Sequence, residues 1–430
     1  MRILTLTPDV EAELLDRRLT VDPQAERVAA RIVADVRRRG DRALLAWTQR
    51  LDRIRAESVA ELRVRPKEFL AARRQVDRGL LRAVRAAARN IRRVAERQLP
   101  RPWSLRVVPG VRVGQQVRPL ESIGCYIPGG RAALLSTLLM TVVPAQVAGV
   151  RRIVVACPQP SPALLAAADL LGVRELFRIG GAQAVAALAY GTESLERVEK
   201  IFGPGNRYVT AAKQLVSHDC ATDLPAGPTE LVVLARRGRP SWIAADMIAQ
   251  AEHDPDALVF LVTPSRQLAR AVRAAVAQQL WSLPETNPAW RSLEERGAIL
   301  VARTLQSAVE FASRFAPEHL SLPVAERGLL RAVRAAGSVF LGPWSAQPLG
   351  DYATGSNHVL PTGGWARVRG GLSAGDFVKT IAVQHVSREG LRRLAPVALE
   401  LARAENLPAH ARAVRIRQES RAGAARRRQP

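Results

Sequence analysis

Six histidines occur in the 430 residues, and the neighbours of four of them have the types and spacing that proton transfer or metal binding requires. His253 stands in AQAEHDPDA with Gln250 three positions before it. That spacing puts both side chains on one helix face, where an amide oxygen and an imidazole nitrogen can converge on one ion. A histidine near a helix C-terminus also suits the helix dipole by itself, and glutamine is an unusual metal ligand, so this pair alone is a weak signal. Glu318 and His319 are adjacent in FAPEHLSL. An imidazole titrates near neutrality and a carboxyl can be tuned upward by burial, so two proton-handling groups would sit side by side; the alternative is a polar cap on an edge strand. Asp351 and His358 share the glycine-rich stretch GDYATGSNHVLPTGG, a loop able to deliver side chains to a site built elsewhere. His410 follows Glu405 in ENLPAHARAVRIR, where spacing alone leaves it a solvent-facing histidine, and His218 and His385 read as structural.

IPGGR (127–131), GGAQA (180–184) and GPGNRY (203–208) each fall between an apolar run and a helical one. Such turns present backbone N–H groups and a helix N-terminus to an anionic phosphate, and open α/β sheets bind ligands at the carboxyl ends of their strands. None is a dinucleotide fingerprint: Tyr208 stands where G-x-G-x-x-G has its third glycine, and no acidic residue appears at the expected strand end. Glycines at such turns are also common for conformational reasons alone. Neither a phosphate-binding G-x-x-x-x-G-K-[ST] loop nor a G-x-S-x-G elbow occurs, which argues against phosphoryl transfer and serine hydrolysis.

The elements that must position these residues are legible in the hydrophobic pattern. Residues 1 to 100 carry apolar positions every three or four residues, the period of amphipathic helices. From Ser122 short apolar runs alternate with longer amphipathic ones. SIGCYI, RIVVAC, LFRIG and VEKIF form a first series, and ELVVLA, ALVFLVT, AILVA, HLSL and SVFLG a second. The alternation calls for parallel strands with crossover helices, hence an α/β class with two doubly wound units in tandem. The uncharged run 132–150 nearly has the length of a membrane span, but it contains Thr137, Thr141, Pro144 and Gln146 and reads as a buried helix. A helical C-terminal segment over 388–404 precedes a charged tail, RQESRAGAARRRQP, that reads as disordered.

With 47% hydrophobic and 24% charged residues the chain can bury a sizeable core, which excludes a disordered or collagen-like protein. Lys plus Arg outnumber Asp plus Glu by 64 to 39, a net charge of +25 that at first suggests nucleic acid or a membrane surface. Only Lys67, Lys200, Lys213 and Lys379 are lysines, however, and the arginines are spread along helices among acidic residues. The excess therefore reads as a coding bias more than a binding patch. Cys125, Cys157 and Cys220 are odd in number and widely spaced, which indicates neither a disulfide framework nor a cysteine zinc site and suits a reducing compartment. The opening MRILTLTPDVEAELLDRR has no apolar core of signal-peptide length, so the expected location is the cytoplasm.

Taken in order, YIPGGR, GGAQA, KIFGPGNRYVT, LPAGPTE, QAEHDPDA, APEHL, GDYATGSNHVLPT and ENLPAH resemble the motif set of the histidinol dehydrogenase family, over nearly the whole chain to about Arg417. The resemblance implies an enzyme that oxidises L-histidinol to L-histidine by two successive hydride transfers to NAD, through an enzyme-held aldehyde, with one bound zinc ion (Zn2+) per subunit. It implies Gln250, His253, Asp351 and His410 as zinc ligands, which with His319 also contact substrate. His319 would take the hydroxyl proton, and Glu318 would activate water for attack on the aldehyde. Thr229, His358 and Glu405 match further substrate-contacting positions, and Tyr126, Gln183 and Asn206 match nucleotide-contacting ones. Thr229 stands where the family often has Ser and keeps the hydroxyl; Asn406 stands where it frequently has Gly.

The resemblance further implies a homodimer in which Glu405 and His410 reach the partner's site, with neither nucleic acid nor membrane as partner. The fold it implies is two tandem Rossmann-like, incompletely doubly wound domains with smaller helical N- and C-terminal parts. The boundaries expected are a helical arm over 1–25, a catalytic domain from 26–121 and 229–370, an NAD-binding domain over 122–228, a helical segment over 371–417 and the tail over 418–430. Two other readings stand beside it. A related zinc- and NAD-linked dehydrogenase of another small polar alcohol, such as sulfopropanediol, would lack or alter the segment with Glu405 and His410, which is intact here. A basic nucleic-acid-binding protein would show salt-sensitive binding and leaves the histidine motifs unexplained.

Overall fold

A computed structural model describes residues 1–16, 22–129, 134–224, 227–324 and 327–419. The expected Arg-rich tail lies outside these residues, except for Gln418 and Glu419, which end the helix Pro408–Glu419. The strands in chain order are β1 (Arg2–Thr5), β2 (Trp103–Val108), β3 (Val111–Pro119), β4 (Ser122–Tyr126), β5 (Arg152–Ala156), β6 (Glu175–Phe177) and β7 (Lys200–Phe202). They continue with β8 (Ala221–Thr222), β9 (Glu230–Leu234), β10 (Leu258–Thr263), β11 (Ala298–Val301), β12 (His319–Leu322), β13 (Ser338–Leu341) and β14 (Val378–Val386). The chain forms two compact units, Met1–Leu99 with Leu120–Phe377, and Pro100–Pro119 with the residues from Val378 on.

The first unit holds two parallel sheets, ordered β6-β5-β4-β7-β8 and β1-β11-β10-β9-β12-β13. In each, five successive strands lie third, second, first, fourth, fifth, the doubly wound order of dinucleotide folds, with the reversal at β4/β7 and at β9/β12. The expected pair of tandem Rossmann-like folds is therefore present. Every residue of β9 and β10 is buried, because helices cover both faces of a parallel sheet; this is why these strands read as unbroken apolar runs and not as alternation.

The packing differs from the expected grouping in two respects. Residues 1–25 are not a purely helical arm: β1 adds a sixth strand at the edge of the second sheet, with Ile3 opposite Ile299. The helices between Pro23 and Gln98 cover the first sheet, not the second. Ile32, Val33 and Val36 share one core with Val154 and Ile201, and Phe69, Val84 and Ile91 share another with Ile123 and Val155. Their apolar stripes fit the exposed sides of the helices on that sheet, burying both.

The helix Leu135–Ala148 is buried over most of its length, as the apolar run 132–150 predicts, and no helix among the described residues is long and apolar enough to cross a membrane. Pro144 inside it has no N–H, so the carbonyl four residues back, that of Met140, loses its helical partner. Asn357 replaces it: its Nδ2 donates to Met140 O at 2.7 Å, while its Oδ1 accepts from Val359 N at 2.9 Å. The loop after β13 is thereby pinned to a helix of the first sheet.

The second unit is not only helical. β3 pairs antiparallel with β14 and β2, and the helices Arg388–Ala404 and Pro408–Glu419 follow. Asn406, between those helices, has φ +55°, a left-handed conformation that glycine adopts freely and asparagine tolerates. Cys125, Cys157 and Cys220 are free and buried.

Candidate active site

Glu318 and His319 lie at the amino end of β12, next to the amino end of β9, where Thr229 and Glu230 stand. This is the reversal point of the second sheet, but at the opposite strand end from the glycine turns of the first. Thr229 Oγ1 donates to Glu318 Oε2, which also accepts from Glu230 N at 2.9 Å. Gln250 Nε2 donates in turn to Thr229 Oγ1, so an amide, a hydroxyl and a carboxyl form one chain. The helix carrying Gln250 ends at Ala251, and His253 stands in the turn beyond it, not on the helix face as the spacing implied.

Asp351 is the hub of the cluster. Its carboxylate is 3.9 Å from His253 Nε2, 4.0 Å from His319 Nε2 and 3.9 Å from His358 Nδ1. The short helix Gln347–Tyr352 presents it, and Gln347, four residues earlier and fully buried, donates Nε2 to Asp351 Oδ2 at 2.8 Å.

The tautomer of His319 follows from its surroundings. Nδ1 lies 3.1 Å from Glu230 O, a backbone carbonyl that can only accept, so Nδ1 carries the proton and Nε2 the lone pair. That Nε2 is buried and has no partner. Burial pushes the His319 pKa down to about 4, against the opposing pull of Asp351, and leaves the ring neutral at pH 7. His358 is likewise held at about 4 by burial and by repulsion from His319 and His253. Burial raises the Glu318 carboxyl to about 8, with Glu230 and Asp351 adding to the effect and the hydrogen bonds from Thr229 and Glu230 N opposing it.

Gln250 Oε1 and Gln347 Oε1 are further buried acceptors without a partner, the amide N–H of Gln250 being committed to Thr229 and that of Gln347 to Asp351. Together with His253 and Asp351, Gln250 Oε1 forms an oxygen and nitrogen donor set of the kind zinc takes. Among the described residues, no three His, Cys, Asp or Glu side chains form a metal group, so within this unit the set has only one imidazole, one carboxylate and one amide. Glu405 and His410 belong to the second unit, where both are exposed.

The nucleotide candidates lie at the carboxyl ends of the first sheet. Tyr126 ends β4, and its hydroxyl accepts from Gly181 N at 3.1 Å. Gln183, fully buried on the helix Gly181–Tyr190, donates Nε2 to Asp52 Oδ2 at 3.0 Å. Asn206 caps the helix Arg207–Val216, its Oδ1 accepting from Tyr208 N and Val209 N, so those two N–H groups are occupied and do not face a phosphate. Gly203 has φ +116°, and a Cβ there would lie 2.0 Å from Tyr126 O. Its amide donates to Asp223 and its carbonyl accepts from Lys213, a buried ion pair beneath the turn.

Sequence reasoning missed Glu230, Gln347, Asn357 and Asp52. The i,i+4 spacing of Gln347 and Asp351 on one helix, and the neighbouring of Asn357 with His358, were the available signals. Asp52 offered none.

The chain as a whole has counterparts among known proteins. The family model for histidinol dehydrogenase matches residues 15–418. The chain is 46% identical to a histidinol dehydrogenase of Methanopyrus kandleri, over 97% of this chain and 100% of that one. It is 47% identical to one of Geobacillus kaustophilus, over 92% and 94%. The crystal structure of histidinol dehydrogenase from Elizabethkingia anophelis superposes with a TM-score of 0.92 at 35% identity, covering 98% of each chain. Agreement in sequence and fold along almost the entire length assigns the chain, an oxidoreductase, to the histidinol dehydrogenase family.

Proposed function

We propose that the enzyme oxidises L-histidinol to L-histidine through L-histidinal, with two NAD as hydride acceptors and zinc at Gln250, His253 and Asp351. The observation that carries the reading is the neutral, buried His319, whose Nε2 lone pair has no partner and whose ring is held by Glu230 O. It is a base ready to take the hydroxyl proton as hydride leaves, needing no prior deprotonation at pH 7. Zinc, when bound, orients the substrate's amine and imidazole, and NAD accepts one hydride in each oxidation. Glu318, tied to Gln250 through Thr229, activates water for addition to the aldehyde, and His358 faces the substrate from the pinned loop. Tyr126, Gln183 and Asn206 meet the nucleotide.

The reading includes a homodimer in the cytoplasm, each site completed by the partner subunit's Glu405 and the partner subunit's His410. The second unit supports this with exposed apolar side chains, among them Trp103, Leu105, Val397, Leu401 and Ile416, of the kind a second subunit covers. The deciding experiment mixes enzyme, zinc, NAD and L-histidinol and follows NADH and histidine together. Two NADH per histidine is expected, and one NADH with aldehyde as the end product overturns the reading.

A further inference from the structure

The doubly wound order of the first sheet makes β5 its second strand, and in dinucleotide folds an acidic residue at the end of that strand reads the ribose of the adenosine. Here the strand ends at Ala156 and is followed by Cys157-Pro158-Gln159, with no acid. Asp52 comes to the same place from a distant part of the chain. It ends a single π-helical turn, Thr48–Asp52, a rare geometry that re-aims the side chains after it. Gln159 Nε2 donates to the Asp52 carbonyl at 3.4 Å, and a Cβ at Gly180 would stand 2.9 Å from Asp52 Oδ1 and 2.8 Å from Pro158 Cβ. Gly129, in the turn after β4, approaches the other side of Pro158, where its Cβ would meet Cγ at 2.4 Å.

An ionised carboxylate only accepts hydrogen bonds, and this fixes the orientation of its neighbours. Asp52 Oδ2 takes Gly180 N at 3.1 Å and Gln183 Nε2 at 3.0 Å. The amide of Gln183 must therefore point its nitrogen at Asp52 and its oxygen away, and that Oε1 is buried without a donor. The N–H groups of Gly180 and Gly181 are already filled by Asp52 and Tyr126, so this helix start is closed to a phosphate. What remains is a pair of acceptors, Gln183 Oε1 and Asp52 Oδ1, the second on a carboxyl that burial raises above its ordinary value against the hydrogen bonds from Gly180 and Gln183.

We propose that Asp52 and Gln183 together read the adenosine ribose hydroxyls, and that Asp52 makes the enzyme prefer NAD to NADP. A ribose diol supplies two O–H donors to two acceptors. A 2′-phosphate supplies no donor and adds about 1.5 to 2 negative charges next to a carboxylate. The inference rests on the NAD reading above and adds the residue that enforces it.

The test is equilibrium titration of the full-length enzyme, without histidinol, with NADH and with NADPH, read by nicotinamide fluorescence. Wild type is expected to bind NADH at least about tenfold more tightly, and Asp52→Asn and Asp52→Ser to shrink that ratio by about tenfold. Gln183→Met should weaken both nucleotides by a similar factor and leave the ratio intact. The ratio measured on one sample does not depend on the fraction folded. An unchanged ratio in both Asp52 variants overturns this inference alone. A wild type that binds neither nucleotide overturns the NAD reading and this inference with it.

Discussion

The bond between Asn357 and the Met140 carbonyl exists because Pro144 cannot make it, and this dependence can be measured. Asn357→Ala leaves two buried backbone groups unpaired, Met140 O and Val359 N–H. At about 1–3 kcal/mol for each group, the single variant should lose ~2–6 kcal/mol of stability. In a Pro144→Ala background the helix supplies its own N–H to Met140 O, so removing Asn357 should cost less by ~1–3 kcal/mol, the share of that one group. Pro144→Ala alone exchanges a gained hydrogen bond against the stiffness of proline, worth ~0.4–1 kcal/mol, and should change little. Urea unfolding of wild type, both single variants and the double variant, followed by circular dichroism, gives the coupling directly. Additivity within about 0.5 kcal/mol would refute the account, because the two residues would then not share the carbonyl.

Two further outcomes follow from the site. With Glu318 held at about 8, the ionised fraction needed to activate water rises as pH rises towards that value. Oxidation of L-histidinal should therefore speed up by nearly tenfold per unit from pH 6 to 7 and level off above 8, while Glu318→Gln should flatten the profile and let aldehyde accumulate; a rise that persists in the variant removes Glu318 from this role. His253→Ala and His410→Ala should each lower the zinc retained per subunit after dialysis, and metal analysis showing full occupancy in both would strike them from the ligand set.

What could be read from the sequence divides along physical lines. Nine strands of the two parallel sheets stand out as short apolar runs because both of their faces are buried. β2, β3 and β14 do not, since most residues of β2 and β14 are exposed, most of β3 are only half-buried, and arginine and glutamine interrupt the pattern in VRVGQQVRP. Four-residue β1 lacks the length to show any period, and its partner is the distant β11. In the site, pairs close in sequence such as Glu318 and His319 could be singled out. The chain from Gln250 through Thr229 to Glu318 could not, because its links span 21 and 89 positions. Asp52 was hidden for the same reason, lying 131 positions from the glutamine it orients.

The edge strand β1 has a consequence for biosynthesis. Residues 2–5 are made long before the strand they dock against, residues 298–301. At about 5–20 residues per second, the leading segment waits roughly 15–60 s for its neighbour. Throughout that interval the sheet of β4 to β8 can close while the segment that becomes β1 stays unpaired and available to chaperones.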